Sequence, residues 1–230
     1  MTTGLRRCTP LAALVTALFM TGACDTTSPA PPVKPPSEEP RTTGPLSSDA
    51  SSSAPTPAAP RIVGPAPADL RTLDWTKVPA PGEFCGVPGL VRFDANGEAR
   101  ATSTVWGLVR ISRSGRHITY GDTDGDHRDE AVVYIGCDDN GATQNTQLAA
   151  GYVVYAHVGE KLAAIGSITP QKAGEYSTAL AGAEFAPGRI IVHEKWWRPG
   201  DAHCCPSGDA TTVWTREGNH LTPGAPRITS

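Results

Sequence analysis

The chain has 230 residues, with 20 lysines and arginines against 23 aspartates and glutamates, and a formal net charge of −3. Its basic residues form no cluster, which excludes nucleic-acid binding through a basic patch and leaves no electrostatic attraction to anionic lipid. The length allows one folded domain plus segments that do not fold.

Residues 1–23 have the layout of a secretory signal peptide. Arg6 and Arg7 precede an apolar run from Leu11 to Met20, and small residues follow. The run is too short to span a membrane as a mature helix. The sequence therefore predicts export, and removing the two arginines leaves 18 basic against 23 acidic residues.

The signal peptide ends in Thr21-Gly22-Ala23, directly before Cys24. This ending resembles the lipobox of bacterial lipoproteins, although Thr21 stands where an aliphatic residue is usual. The resemblance implies that Cys24 carries fatty acyl chains such as palmitate and anchors the chain to the extracytoplasmic face of the cell membrane. The alternative is cleavage after Ala23 and release as a secreted protein.

Residues 24–67 are dominated by Pro, Ser, Thr and Ala and have no apolar periodicity. Such a segment cannot bury enough surface to fold. It is predicted to be a disordered spacer that holds a folded domain away from the membrane.

Residues 68–230 are predicted to form a single, mainly β domain. Short apolar runs alternate with Gly, Pro and Asn turn signals, a pattern typical of an antiparallel sandwich or barrel-like sheet. The predicted strands are 89–93, 104–111, 116–120, 131–135, 148–158, 161–168, 189–197 and 211–216. Only residues 173–183 are compatible with a helix, and two glycines in that stretch weigh against one.

The segment from Gly121 to Cys137 reads GDTDGDHRDEAVVYIGC and combines an acidic loop with an apolar strand. Counted from its first aspartate, carboxylates occupy positions one, three, five and nine, and a backbone carbonyl is available at position seven. Alternating oxygen ligands that end on a carboxylate suit a hard cation such as calcium. The predicted ligands of a structural Ca²⁺ ion are Asp122, Asp124, Asp126, Arg128 (through its carbonyl) and Glu130.

This loop resembles the DxDxDGxxD calcium loops of FG-GAP repeats over about fifteen residues. It departs from them at position six, where His127 replaces a glycine that favours positive φ, and at position nine, where Glu130 replaces aspartate. Such repeats usually occur in series, whereas this loop occurs once, so a stand-alone domain is expected rather than a propeller. The alternative is an acidic turn that Arg128 partly neutralises and that binds no metal.

The folded part contains four cysteines, which in an exported protein predict disulfides. Because joining adjacent residues needs a strained eight-membered ring, Cys204 and Cys205 are each expected to pair with Cys85 or Cys137. A zinc site that combines His203, Cys204 and Cys205 with His193 or His220 is a weaker alternative, since the spacing lacks a CxxC pattern.

Trp196 and Trp197 adjoin Arg198, and neighbouring residues of a strand point to opposite faces. One tryptophan beside an arginine could therefore stack on a sugar ring or a peptide, which makes these three residues a candidate ligand-binding site. The alternative places the two rings in the core and in a cross-strand pair.

The order of features, with the spacer, one acidic loop, CCPS and TTVW, resembles a group of exported actinobacterial lipoproteins. That resemblance implies no activity. Because no catalytic pattern stands out, the sequence favours a non-enzymatic binding module for a cell-envelope glycan or protein. A cell-envelope hydrolase using the loop carboxylates, and a purely structural envelope lipoprotein, are the alternatives.

Overall fold

The computed structural model describes residues 59–141, 147–174, 176, 178–202 and 204–230, with the backbone alone for 114–117. The signal peptide, Cys24, most of the predicted spacer and His203 lie outside the described residues. The described part is mainly β, with antiparallel sheets that form a curled half-barrel, so the predicted fold class is confirmed.

The strands are β1 (Arg61–Pro65), β2 (Ala80–Pro81), β3 (Leu90–Val91), β4 (Glu98–Ser103), β5 (Gly107–Gly121), β6 (Glu130–Asp138), β7 (Gln147–Val158), β8 (Lys161–Ile168), β9 (Ala179–Ala186), β10 (Arg189–Trp196), β11 (Gly208–Glu217), β12 (His220–Pro223) and β13 (Arg227–Ile228). Three short 3-10 helices, at Leu70–Thr72, Trp75–Lys77 and Glu83–Cys85, lie between β1 and β3.

The first sheet has the order β1-β8-β7-β6-β5-β4, and the second has β12-β11-β10-β9 with β13 paired to β11. All the neighbouring strands of both sheets are antiparallel. Hence β1, β5 and β7 run in one direction. The short strand β1 lies at the end of the first sheet where β5 finishes, because Arg61 is level with Tyr120 through Ala164, Tyr155 and Ala131.

The first sheet is covered on both faces, which explains why β6 is an almost continuous apolar run. Ala131, Val133 and Ile135 point into one core with Trp75 and Tyr155. Intervening residues of the sheet, such as Val132 and Val154, pack with Ile190, Val192 and Trp214 of the second sheet in the other core. In a strand that is buried on both faces, apolar residues do not alternate with polar ones, because neither face meets water.

Two boundaries differ from the sequence prediction. β1 lies inside the segment assigned to the spacer, so the folded part includes Arg61–Pro65 rather than beginning at residue 68. It is an edge strand, where Pro65 costs no sheet hydrogen bond. Residues 179–186 form β9 rather than continuing a helix, because they pair with β10 along its length.

The expected disulfide pairing is wrong. Cys85 is bonded to Cys137, with Cα atoms 5.9 Å apart, and Cys204 is bonded to Cys205. Cys137 follows Ile135 on the face of β6 that meets the 3-10 helix carrying Cys85, and both cysteines are buried. The exposed Cys204-Cys205 segment instead follows β10 of the second sheet.

Candidate functional site

The acidic loop spans the gap between the end of β5 and the start of β6. Gly121 is the last residue of β5 and lies against Phe185 of the second sheet, where a Cβ atom on Gly121 would come within 2.5 Å of the Phe185 Cβ and 2.6 Å of its ring. The Thr123 carbonyl accepts a 2.8 Å hydrogen bond from the Gly188 N–H in the β9–β10 turn. The loop is therefore fixed to both sheets.

Asp122 organises the turn itself. Its carboxylate accepts hydrogen bonds from the N–H groups of Gly125 (2.7 Å) and His127 (3.0 Å). Partial burial acts to raise the pKa of Asp122, but these two donors outweigh it and hold that pKa below its usual value. His127 has φ of +65°, the positive value that position six of the loop requires.

The structure brings together three of the predicted calcium ligands. One carboxylate oxygen from each of Asp122, Asp124 and Glu130 lies within 4.8 Å of the others. Two oxygens that bind one calcium ion at 2.3–2.6 Å are separated by at most about 5 Å, so this spacing suits a shared ion.

The other acidic side chains of the loop have different partners. The Asp126 carboxylate accepts hydrogen bonds from the Arg128 guanidinium at 2.9 and 2.7 Å and is not part of the three-carboxylate group. Those bonds, outweighing partial burial, hold the pKa of Asp126 below its usual value. Asp129, which was not predicted as a ligand, is paired with Arg71.

Arg216 is the site residue that the sequence reasoning missed. Its guanidinium reaches from β11 to Asp124 (2.8 Å), Glu130 (2.6 Å) and the Thr123 hydroxyl (2.7 Å). The Arg216 and Glu130 side chains are each only 3% exposed. In β11, Ala210, Thr212 and Trp214 point inward at alternate positions. This alternation continues to position 216, and it was the signal that could have identified Arg216 as an inward-pointing residue.

Glu130 closes this network. Its second oxygen accepts hydrogen bonds from the Thr123 N–H and hydroxyl, both 2.7 Å long. The three clustered carboxylates and Arg216 together leave two negative charges, which one divalent cation would neutralise. The donor set, its spacing and its charge therefore fit calcium with Asp122, Asp124 and Glu130 as ligands.

The aromatic candidate site is closely packed within the fold. Trp196 lies against Gly208 on one side, and the Lys172 ammonium sits 4.4 Å from its ring centre. Trp197 donates a 3.2 Å hydrogen bond to the Ala202 carbonyl and meets the edge of Tyr176. Both tryptophans are half-buried, and Arg198 is exposed.

A cleft of about 340 Å³ adjoins these aromatic residues. Lys172, Tyr176 and Phe84 help to line it, together with Leu148. Buried Glu194 fixes one wall of the cleft, because its carboxylate accepts a 2.8 Å hydrogen bond from the Lys172 N–H. The cleft is of the size that small ligands occupy.

Comparison of the chain with protein-family models, with curated proteins and with solved structures gave no match. Among the described residues, no helix has both the length and the apolar character needed to cross a membrane.

Proposed function

We propose that this chain is an exported lipoprotein, anchored through Cys24, whose β domain is a non-enzymatic binding module stabilised by calcium at the loop from Asp122 to Glu130. The observation that carries the proposal is the convergence of Asp122, Asp124 and Glu130 on the space that one cation would fill. We also propose that the chain belongs to the actinobacterial lipoprotein group and that its acidic loop is of the FG-GAP type.

A structural role for the loop is supported by the partners of its carboxylates. Asp122 is engaged by backbone N–H groups, Asp126 and Asp129 by arginines, and Glu130 by both Thr123 and Arg216. Such carboxylates hold a fold together. A hydrolase would need one of them to face a substrate cleft, and none of these loop carboxylates is among the described residues that line the cleft at Lys172.

The ligand of the module is proposed to be a cell-envelope glycan or protein that enters the cleft beside Trp196 and Trp197. An ammonium group and aromatic rings at its wall suit a ligand with apolar faces and a negative group. Trp196 contributes by supporting Lys172, while Tyr176, which contacts Trp197, lines the cleft itself.

Calorimetric titration of the mature chain with calcium tests the metal site. We expect one ion per chain, and Asp122→Asn should weaken the affinity by about tenfold or more because it removes a charged ligand. Asp126→Asn is the matched control and should change the affinity by less than about twofold, because Arg128 already holds that carboxylate.

The absence of any calcium-dependent heat in the parent chain would contradict the metal site. If both substitutions weaken calcium binding equally, Asp126 is also a ligand of the ion.

A further inference from the structure

Strand β7 lies in the interior of the first sheet, but it is paired on both sides over only part of its length. β6 pairs with it along residues 147–155, whereas β8 pairs with it only along residues 152–158. Residues 147–151 therefore have β6 on one side and no other described strand on the opposite side. We name this stretch of β7 the open edge.

The sequence after β8 explains why the sheet opens here. Pro170 comes two residues after the last residue of β8, Ile168, and proline has no N–H to donate to a neighbouring strand. The next two N–H groups, of Gln171 and Lys172, donate to the buried Glu194 carboxylate of β10 at 3.0 and 2.8 Å. The chain thus passes from the first sheet to the second, and its departure leaves the open edge.

The open edge carries backbone groups that the sheet does not use. Successive residues of an antiparallel strand direct their N–H and C=O groups alternately to the two neighbouring strands, so about half of residues 147–151 direct them away from β6. Among the described backbone hydrogen bonds outside the strand pairings, none involves these residues. Unpaired N–H and C=O groups in a row are a template onto which an extended peptide adds as a strand.

The cleft of about 340 Å³ lies along the open edge. Residues 147–150 line it, together with residues of the segment that leaves β8, among them Thr169 and Pro170. At a rise of about 3.4 Å per residue, the open edge is roughly 14–17 Å long. This length accommodates a strand of four or five residues.

The lining of the cleft indicates what kind of peptide it suits. Phe84 and Leu148 offer half-buried apolar surface, and Lys172 alone is charged among the described lining residues. The Trp196 ring, 4.4 Å from the ammonium group, supports Lys172 at the wall. Because a positive lining complements a negative ligand, the charge favours an acidic peptide over a neutral glycan.

We propose that the open edge binds an extended acidic peptide of another protein as an added strand, with an acidic group of the peptide beside Lys172. This inference rests on the proposed binding role of the cleft and names the class of its ligand. The backbone of the peptide would supply the affinity, and Lys172 with the apolar lining would select its side chains.

Amide hydrogen exchange of the mature chain, with and without a probe peptide, tests the added strand. The probe is an acetylated peptide of alternating threonine and valine that ends in aspartate, used at millimolar concentration. Exchange of the open-edge amides that β6 does not hold should slow by about tenfold or more, because new strand hydrogen bonds close them. The same peptide methylated at its backbone nitrogens is the matched control and should cause no slowing, because it has lost its donors.

Substitutions test the acidic group. Lys172→Gln should weaken the affinity for the probe by about fivefold or more, because a hydrogen bond between charged groups is lost, and Lys172→Arg should keep most of the affinity. Lys161→Gln, at the far end of β8, is the matched control and should change the affinity by less than about twofold, because distant exposed charges are screened. Equal weakening by Lys172→Gln and Lys161→Gln would overturn the contact with Lys172.

Unchanged exchange at residues 147–151 in the presence of the probe would overturn the added strand. Slowing confined to the edge strands β4 or β9 would overturn it too, and so would full protection of the open edge in the free chain. Slowing at the cleft by an oligosaccharide of N-acetylglucosamine, but not by the peptide, would overturn the peptide ligand and support the proposed binding module. No slowing at the cleft by either probe would overturn both proposals.

Discussion

Arg216 connects the acidic loop to the second sheet. It is buried, and its guanidinium joins two carboxylates and a hydroxyl that are distant in sequence. A buried ion pair adds little net stability relative to an apolar pair, but removing one partner leaves the other charge buried and uncompensated.

Replacement of Arg216 measures this dependence. Arg216→Met should lower the free energy of unfolding by about 3–5 kcal/mol, because Glu130 then keeps a buried charge. Arg128→Gln is the control, since its pair with Asp126 is 42% and 34% exposed and should contribute less than about 1 kcal/mol. Urea unfolding in chelator measures both.

Adding Glu130→Gln to Arg216→Met should restore part of the lost stability, because the uncompensated charge disappears. Similar losses for Arg216→Met and Arg128→Gln would contradict the account of the buried pair.

The site could be predicted from the sequence only where it is local. Asp122, Asp124 and Glu130 lie within nine residues, and their alternation is enough to bring them together. Arg216 lies 93 residues from Thr123, and only the packing of one sheet on the other makes it a neighbour. Arg128 also acts locally. It does so through its guanidinium, which binds the Asp126 carboxylate, rather than through the carbonyl that was predicted as a ligand.

At the scale of elements, features with a local sequence signal are predicted correctly, and features that depend on distant parts of the chain are not. β6, β7, β8 and β10 have long apolar runs and clear turns, and the sequence places them well. β9 is rich in alanine and glycine, so its strand conformation comes from pairing with β10. The disulfide pairing depends on which face of the first sheet each cysteine meets, which no local pattern reveals.

The Cys85–Cys137 disulfide joins an irregular segment to the central strand β6. The bonded residues are 52 positions apart, and removing both sulfurs should cost about 4 kcal/mol by the loop-entropy model. Cys204→Ala with Cys205→Ala is the control, and should cost about 1 kcal/mol or less because it opens no long loop. Urea unfolding and non-reducing peptide mapping test the two pairs.

A peptide that links Cys204 or Cys205 to Cys85 would contradict the pairing. So would an equal loss of stability in the two double variants.

At the scale of the whole molecule, the acidic loop connects the two sheets. The loop lies at the end of the first sheet that also holds β1, and it is joined there to the second sheet. A cation at the loop would therefore stabilise the contact between the sheets. The proposed ligand cleft beside Lys172 is lined by β7 of the first sheet and by the segment between β8 and β9, which Glu194 of the second sheet holds through the Lys172 N–H.

The central claim is that calcium binds the acidic loop and stabilises the fold, and thermal unfolding of the mature chain with and without calcium tests it most directly. Calcium at one hundred times its dissociation constant should add about 2.7 kcal/mol. For a domain of this size that corresponds to a rise in Tm of about 5–10 °C over the value in excess chelator. Asp122→Asn should lose most of this rise, and Asp126→Asn should keep it. An identical Tm for the parent chain in calcium and in chelator would contradict the claim.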